Sequence, residues 1–185
     1  LKSLAYHCVR AQEFSLGLRF TRDWGGMVKA RLTLSYERKM KMTFSDAAQA
    51  RFDLSGKTAL ITGSSRGIGF ALASGLAEAG AHVILNSRDA SAIKAASDKI
   101  TAMEGSTSQL IFDVTDRQAA EDAINGFEQD TGPIDILINN AGMQHRQPLE
   151  EFDPAAFDRV MATNVTAVFT LSQLVARHMI ERKQG

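Results

Sequence analysis

From Phe52 onward, four short apolar runs (58–62, 82–86, 109–113 and 135–140) alternate with stretches of helical periodicity. Runs that are apolar throughout, spaced by helices, predict the βαβ pattern of a parallel sheet with both faces covered. The first helix carries Ile68, Leu72 and Leu76 at intervals of four and ends at Gly80. The second carries Ile93, Ala96, Ile100 and Met103 and ends before Gly105. Thr115 and Gln118 form a capping-box pattern for a third, whose apolar face is Ala120, Ala123, Ile124 and Phe127. Asp153 caps a fourth and Pro154 starts it; this helix is expected to run to about Arg182 with Phe157, Val160, Met161, Val165, Val168 and Val175 inward. The expected fold class is α/β, a doubly wound parallel sheet of Rossmann type, ending after the fourth strand and its following helix.

Composition narrows the class. At 185 residues and 44% hydrophobic, the chain is expected to form one packed domain, and none of its apolar runs approaches membrane-spanning length. Cys8 is the single cysteine, so an internal disulfide is excluded, and no Cys/His spacing suggests a metal. A cytoplasmic protein with no membrane partner and no metal is the expectation. The net charge of zero conceals an asymmetry: residues 1–41 carry +6 and residues 42–185 carry −6. The basic segment has no clean period and its only turn signal is Gly25-Gly26. Three readings compete for it: an organelle presequence, a nucleic-acid-binding arm, or upstream translation foreign to the natural protein. The last is favoured, because Leu1 is not an initiator and Met42 opens a short lead into the first strand. No recognition motif accompanies the charge, so nucleic acid is not expected as a partner.

The stretch TGSSRGIG, residues 62–69, falls where the first strand meets the first helix. In a doubly wound sheet, ligands bind at the carboxyl ends of the strands where the winding reverses. Side chains at Gly63, Gly67 or Gly69 would block the tight turn, the approach of a pyrophosphate to the backbone, or helix packing on the strand. A helix starting near Gly67 presents unpaired N–H groups and the positive end of its dipole to phosphate. The loop is expected to hold a dinucleotide.

The spacing T-G-x-x-x-G-x-G, followed in order by Asp113-Val114, Asn139-Asn140-Ala141-Gly142 and Asn164-Val165, resembles the short-chain dehydrogenase/reductase family. The resemblance runs from about Phe52 to Gly185 and corresponds to the amino-terminal part of a family domain. It implies that Gly63, Ser65, Arg66, Ile68 and Gly69 line the phosphates, with Gly67 in the same loop. It further implies that Asp113 and Val114 meet the adenine, and that Asn140, Ala141 and Gly142 lie on the nicotinamide side. Asp113 also has a purely structural reading, as the end of the third strand.

Charge discriminates between the nicotinamide cofactors. NAD binders place an acid after the second strand to accept from the ribose 2′-hydroxyl. Here that strand leads into Asn86-Ser87-Arg88, and Asp89 comes late enough to cap the next helix. Arg88 with Arg66 supplies two planar cations suited to a 2′-phosphate. NADP(H) is the preferred cofactor, and NAD(H) stays open.

Catalysis in the family uses a Tyr, a Lys four residues later, a Ser and an Asn. The resemblance matches only the Asn, as Asn164, expected to be buried with specific partners. Tyr6 and Tyr36 precede the first strand and are followed four residues on by Arg10 and Met40. The Ser is expected in a fifth strand beyond Gly185, with the Tyr and Lys on the helix after it. This chain alone is therefore expected to be inactive.

The run NNAGMQHRQPLEEF, residues 139–152, looks like the gluconate 5-dehydrogenase branch of the family, which implies a polyol or sugar-acid substrate such as gluconate or 5-ketogluconate. Arg146 is the candidate for its carboxylate, and His145 reads as a surface loop residue. Two alternatives stand beside this: a 3-oxoacyl carrier-protein reductase, and a non-catalytic nucleotide-binding fragment. The family resemblance implies a homodimer or homotetramer for the full-length protein, assembled through the fourth helix.

Overall fold

The computed structural model describes residues 51–185 and, before them, the backbone of Phe20–Arg22 and Val28–Ala30. The chain divides into two compact units, Leu1–Thr43 and Phe44–Gly185. In the first, β1 (Phe20–Arg22) and β2 (Val28–Ala30) pair antiparallel with Thr21 opposite Lys29. This corrects the expectation of a segment without strand character: three residues are too few to display a period. Cys8, Tyr6 and Tyr36 lie outside the described residues.

The second unit is a four-stranded parallel sheet of Rossmann type with helices on both faces. Its strands are β3 (Thr58–Ile61), β4 (His82–Ser87), β5 (Thr107–Ile111) and β6 (Ile136–Ile138), in the order β5-β4-β3-β6. Thr58 is opposite His82, Val83 opposite Thr107 and Ala59 opposite Ile136. The connecting helices are α1 (Gly67–Glu78), α2 (Ala90–Thr101) and α3 (Arg117–Asp130). After β6 come a 3-10 turn (Leu149–Glu151), α4 (Pro154–Met161), a π-helical turn (Ala162–Thr166) and α5 (Ala167–Arg182).

Strand alternation sorts the core into two layers. Ala59, Ile61, Val83 and Leu85 face α1 and α2, packing on Ala73, Ile93, Ala96 and Ile100. Leu60 and Ile84 face the other way, onto Ile124 and Phe127 of α3 and Leu171, Leu174 and Val175 of α5. Each central strand is covered on both sides, which is why its sequence is apolar without alternation.

Five expectations are corrected. The third strand is two residues earlier than the apolar run suggests: β5 is a sheet edge, so it carries polar residues such as exposed Gln109 beside exposed Ile111. In α1 the buried residues are Gly69 and Ala73, while Ile68 and Leu72 are exposed; small residues let the helix approach the sheet, and the bulky ones point away. Met103 lies beyond the end of α2 and is exposed. The cap of α3 is Asp116, which accepts from the Ala119 amide, while the Thr115 hydroxyl donates to Asp113 instead of forming a capping box. Asp153 does cap α4, accepting from the Ala155 amide, with Pro154 in the first turn. Within the long helical segment, Val175 is buried, but Phe157, Met161 and Val165 are exposed rather than inward.

His82 opens β4 with Nδ1 2.7 Å from Ser106 Oγ and Nε2 2.9 Å from Ser108 Oγ, stacked on Phe127. Burial pushes its pKa below the ordinary histidine value. The folded chain then binds fewer protons than the unfolded one as pH falls, so the stability from neutral His82 is present above about pH 6.5 and is lost below it. Urea unfolding is expected to show wild type losing more stability than His82→Gln between about pH 7 and pH 5.5. Equal losses would contradict this role.

Candidate functional site

The winding of the sheet reverses between β3 and β6: successive strands proceed from β3 to β4 to β5, and the next lies on the other side of β3. Two loops leave the carboxyl ends of those two strands side by side, residues 62–66 and 139–142. Thr62 locks them together. Its hydroxyl accepts from the Asn140 and Ala141 amides, both at 3.0 Å, and the Asn140 side-chain amide donates to the carbonyls of Thr62 (2.9 Å) and Gly63 (3.2 Å).

A second lock ties the glycine loop to the outer strands. Asn86, 1% exposed, accepts from the Gly63 amide and donates to the carbonyls of Leu110 and Phe112. Ser64, fully buried, donates to the Ile61 carbonyl and accepts from the Asn86 amide. Buried polar groups with every strand end as a partner make the loop rigid.

The glycines serve different purposes. Gly63 has φ +62°, and a Cβ there would stand 3.0 Å from Ala141 Cα. Gly69 is pressed against the loop, where a Cβ would collide with the Asn140 amide and lie 2.9 Å from Ser64 Cα. Gly67 has φ +60° with nothing nearby, so its surface is open to a ligand. The helices α2, α3 and α4 are each capped by an aspartate side chain, whereas α1 begins after Arg66 with no side-chain cap. Its first-turn N–H groups take no side-chain cap and can serve an anion.

Above these loops lies a cleft of about 690 Å³. It is lined by the expected residues Gly63, Ser65, Arg66, Gly67, Ser87, Arg88, Asp113, Val114, Asn140, Ala141 and Gly142. Ile68 and Gly69 do not line it: the first points to solvent and the second packs beneath the loop. Arg146 is also outside the cleft, on an exposed loop where its Nη2 donates to Gln144. Neighbouring His145 is an exposed loop residue packed edge-on to Phe152.

Asn164 lies in the π-helical turn, exposed rather than buried, and does not line the cleft. Its partners are specific: Oδ1 accepts from the Met143 amide and Nδ2 donates to the Met143 carbonyl, both at 2.9 Å. This reciprocal pair fastens the loop after Gly142 to the helix. Asn164→Ala is expected to cost about 1 kcal/mol, since the bonds are exposed, and to speed hydrogen exchange at the Met143 amide. Unchanged exchange there would show that the loop is held by something else.

Several lining residues escaped the sequence reading: Asn86, Phe112, Thr115, Met143, Arg159, Ala162 and Thr163. A polar residue ending an apolar strand was the available sign for Asn86. For Arg159, one turn before Thr163 on the same helical segment, the signal would have been helical spacing from the Asn164 motif.

Among the described residues, the cleft wall holds three arginines and a single carboxylate. Arg159 lies 3.7 Å from Asp153, and Arg88 Nη1 lies 3.1 Å from Asp113 Oδ2. Burial of Asp113 opposes its ionisation, but the Thr115 amide and hydroxyl together with the Arg88 guanidinium outweigh that and hold its pKa below the ordinary carboxylate value. Asp89 caps α2, accepting from the Ser91 and Ala92 amides.

Among the described residues no helix is long and apolar enough to cross a membrane. The chain is 54% identical over 134 residues to gluconate 5-dehydrogenase of Gluconobacter oxydans, a match covering 72% of this chain and 52% of that protein. It is 46% identical to 5-keto-D-gluconate 5-reductase of Escherichia coli K12, covering 72% and 53%. A solved gluconate 5-dehydrogenase from Burkholderia cenocepacia, in complex with NADP and tartrate, superposes with a TM-score of 0.72 at 44% identity, covering 75% of this chain and 54% of that one. The chain thus spans about half the length of the curated relatives it matches. Residues 57–185 match the family model described as short chain dehydrogenase, and with the switch-point cleft and its glycine loop this establishes that the chain belongs to the short-chain dehydrogenase family.

Proposed function

We propose that this chain is the nucleotide-binding half of an NADP-dependent oxidoreductase acting on a sugar acid of the gluconate or 5-ketogluconate kind. One observation carries the cofactor assignment: Arg66 and Arg88 stand on the cleft wall, while Asp89, the acid that follows β4, is engaged as the cap of α2. The one carboxylate among the described lining residues, Asp113, is already paired with Arg88, whereas a 2′-phosphate has two guanidinium groups to meet.

The residues present fit a dinucleotide. The uncapped start of α1 and the open face of Gly67 suit a pyrophosphate, and Asp113 and Val114 form the wall suited to adenine. Asn140, Ala141 and Gly142 suit the nicotinamide side. When bound, the dinucleotide supplies the ring that carries hydride; the chain's own residues bind it, orient it and keep the loops beneath it fixed. Asn164 holds Met143, and with it the floor beside Gly142.

The substrate reading is supported by the gluconate enzymes named above. Arg159, which lines the cleft, is better placed than Arg146 to meet an anion bound there. Assembly into dimers or tetramers is supported by Phe157, Met161, Val165 and Phe169, exposed at intervals of four along one helical segment. The test is turnover of gluconate with NADP⁺ by the full-length protein containing this segment. Activity on a 3-oxoacyl thioester in its place, or with NAD⁺ at equal efficiency, would replace this reading.

A further inference from the structure

Among the described residues lining the cleft, Asp113 is the one carboxylate, and it sits on one of the three arginines there. It is held in place from behind: Oδ1 accepts from the Thr115 amide at 2.9 Å and from the Thr115 hydroxyl at 2.7 Å, which leaves Oδ2 turned to Arg88. Arg88 comes from the end of β4 and Asp113 from the segment after β5, so the contact bridges two neighbouring strand ends.

The bridge is one-sided. Arg88 gives a single N–H to Asp113, and its side chain is 78% exposed against 35% for Asp113. A guanidinium has five donors; among the described residues the others on Arg88 take no partner. An incoming anion can therefore engage the free edge of Arg88, but it does so beside a fixed negative charge. Like charges at this separation oppose each other, and the guanidinium is already partly neutralised.

From this geometry we infer that Asp113 is a positioning residue that sets cofactor discrimination: by pairing with Arg88 it restrains the preference for a 2′-phosphorylated nucleotide. Thr115 acts one step further back, by fixing the carboxylate that holds the arginine. This rests on the assignment of the 2′-phosphate to Arg88 made above. The prediction has a direction that a plain adenine contact does not share. Loss of an adenine contact weakens nucleotides with and without a 2′-phosphate alike, whereas removal of the restraint changes their ratio.

The test is calorimetric titration of the 185-residue chain with 2′,5′-ADP and with 5′-ADP. Asp113→Asn keeps the shape and an acceptor for Thr115 while removing the charge. It is expected to raise the affinity ratio of 2′,5′-ADP to 5′-ADP by about threefold to fivefold, the scale of an exposed ion pair. The rise should shrink in high salt and vanish in the Arg88→Ala background. A wild type that prefers 2′,5′-ADP with a ratio unmoved by Asp113→Asn overturns the inference and leaves the NADP reading standing. A wild type without preference that gains one in Asp113→Asn overturns NADP preference and upholds the restraint. No binding of either nucleotide overturns both. A ratio that rises equally in the Arg88→Ala background also overturns the inference, because the effect would not pass through the arginine.

Discussion

Arg88→Ala is expected to weaken NADPH binding by about tenfold to a hundredfold and to leave NADH nearly unchanged. A hydrogen bond to a charged group contributes roughly 1.5–3 kcal/mol, and a 2′-phosphate meeting a guanidinium makes at least one such bond. The lower part of the range is favoured, because Asp113 already occupies one donor of Arg88. Removal of the guanidinium also leaves Asp113 as an uncompensated negative charge in the cleft wall, which adds to the loss for the phosphorylated cofactor alone. Titration that follows NADPH and NADH fluorescence measures both constants. Equal losses for the two cofactors would remove Arg88 from the 2′-phosphate.

Glu128→Ala should destabilise the fold by about 3–5 kcal/mol, the scale of breaking a buried ion pair by deleting one member. Glu128 on α3 receives two bonds from Arg182 Nη1, both at 3.1 Å, and a third from the Ile134 amide at 2.9 Å. Arg182, at the end of α5, also donates Nη2 to the Ile134 carbonyl. The carboxylate is 9% exposed and the guanidinium 22%, and Arg182 Nε is buried without a partner. Deletion of the carboxylate would leave a partly buried cation and an unpaired amide at the entry to β6. Glu128→Gln retains an acceptor for Ile134 and should lose less. Urea midpoints at fixed pH measure both; a loss under about 1 kcal/mol for alanine would mean solvent replaces the carboxylate without cost. Because Glu128 does not line the cleft, nucleotide affinity of the folded variant should stay near wild type.

The parts of the molecule that were legible in sequence are those where one physical pressure dominates. Central strands β3 and β4 are buried on both faces, so burial alone writes them as apolar runs. The glycine loop was legible because Gly63, Gly67 and Gly69 each satisfy a backbone or packing demand that no side chain meets. Asp89 as the α2 cap and Pro154 at the start of α4 follow from local bonding rules.

Positions where two pressures compete were misread. The helix α1 turns Gly69 and Ala73 inward because close approach to the sheet outweighs the bulk of Ile68 and Leu72. The edge strand β5 mixes apolar and polar residues, since only β4 pairs with it. Asn86 and Thr62 organise the site from beneath, through bonds to strands distant in sequence. Proximity in sequence to the NNAG run made Arg146 the anion candidate, but the chain turns that side chain onto its own loop. Arg159 reaches the cleft through the helix that returns to it.

Binding of NADP(H) in this cleft, across the switch point, is measured by titrating NADPH into the isotopically labelled 185-residue chain and following its backbone amide resonances. Saturable shifts are expected at Gly63, Ser65, Gly67, Asp113, Asn140 and Gly142, with NADH producing the same pattern at higher concentration. Absence of shifts at millimolar NADPH, or shifts centred away from these residues, would contradict it.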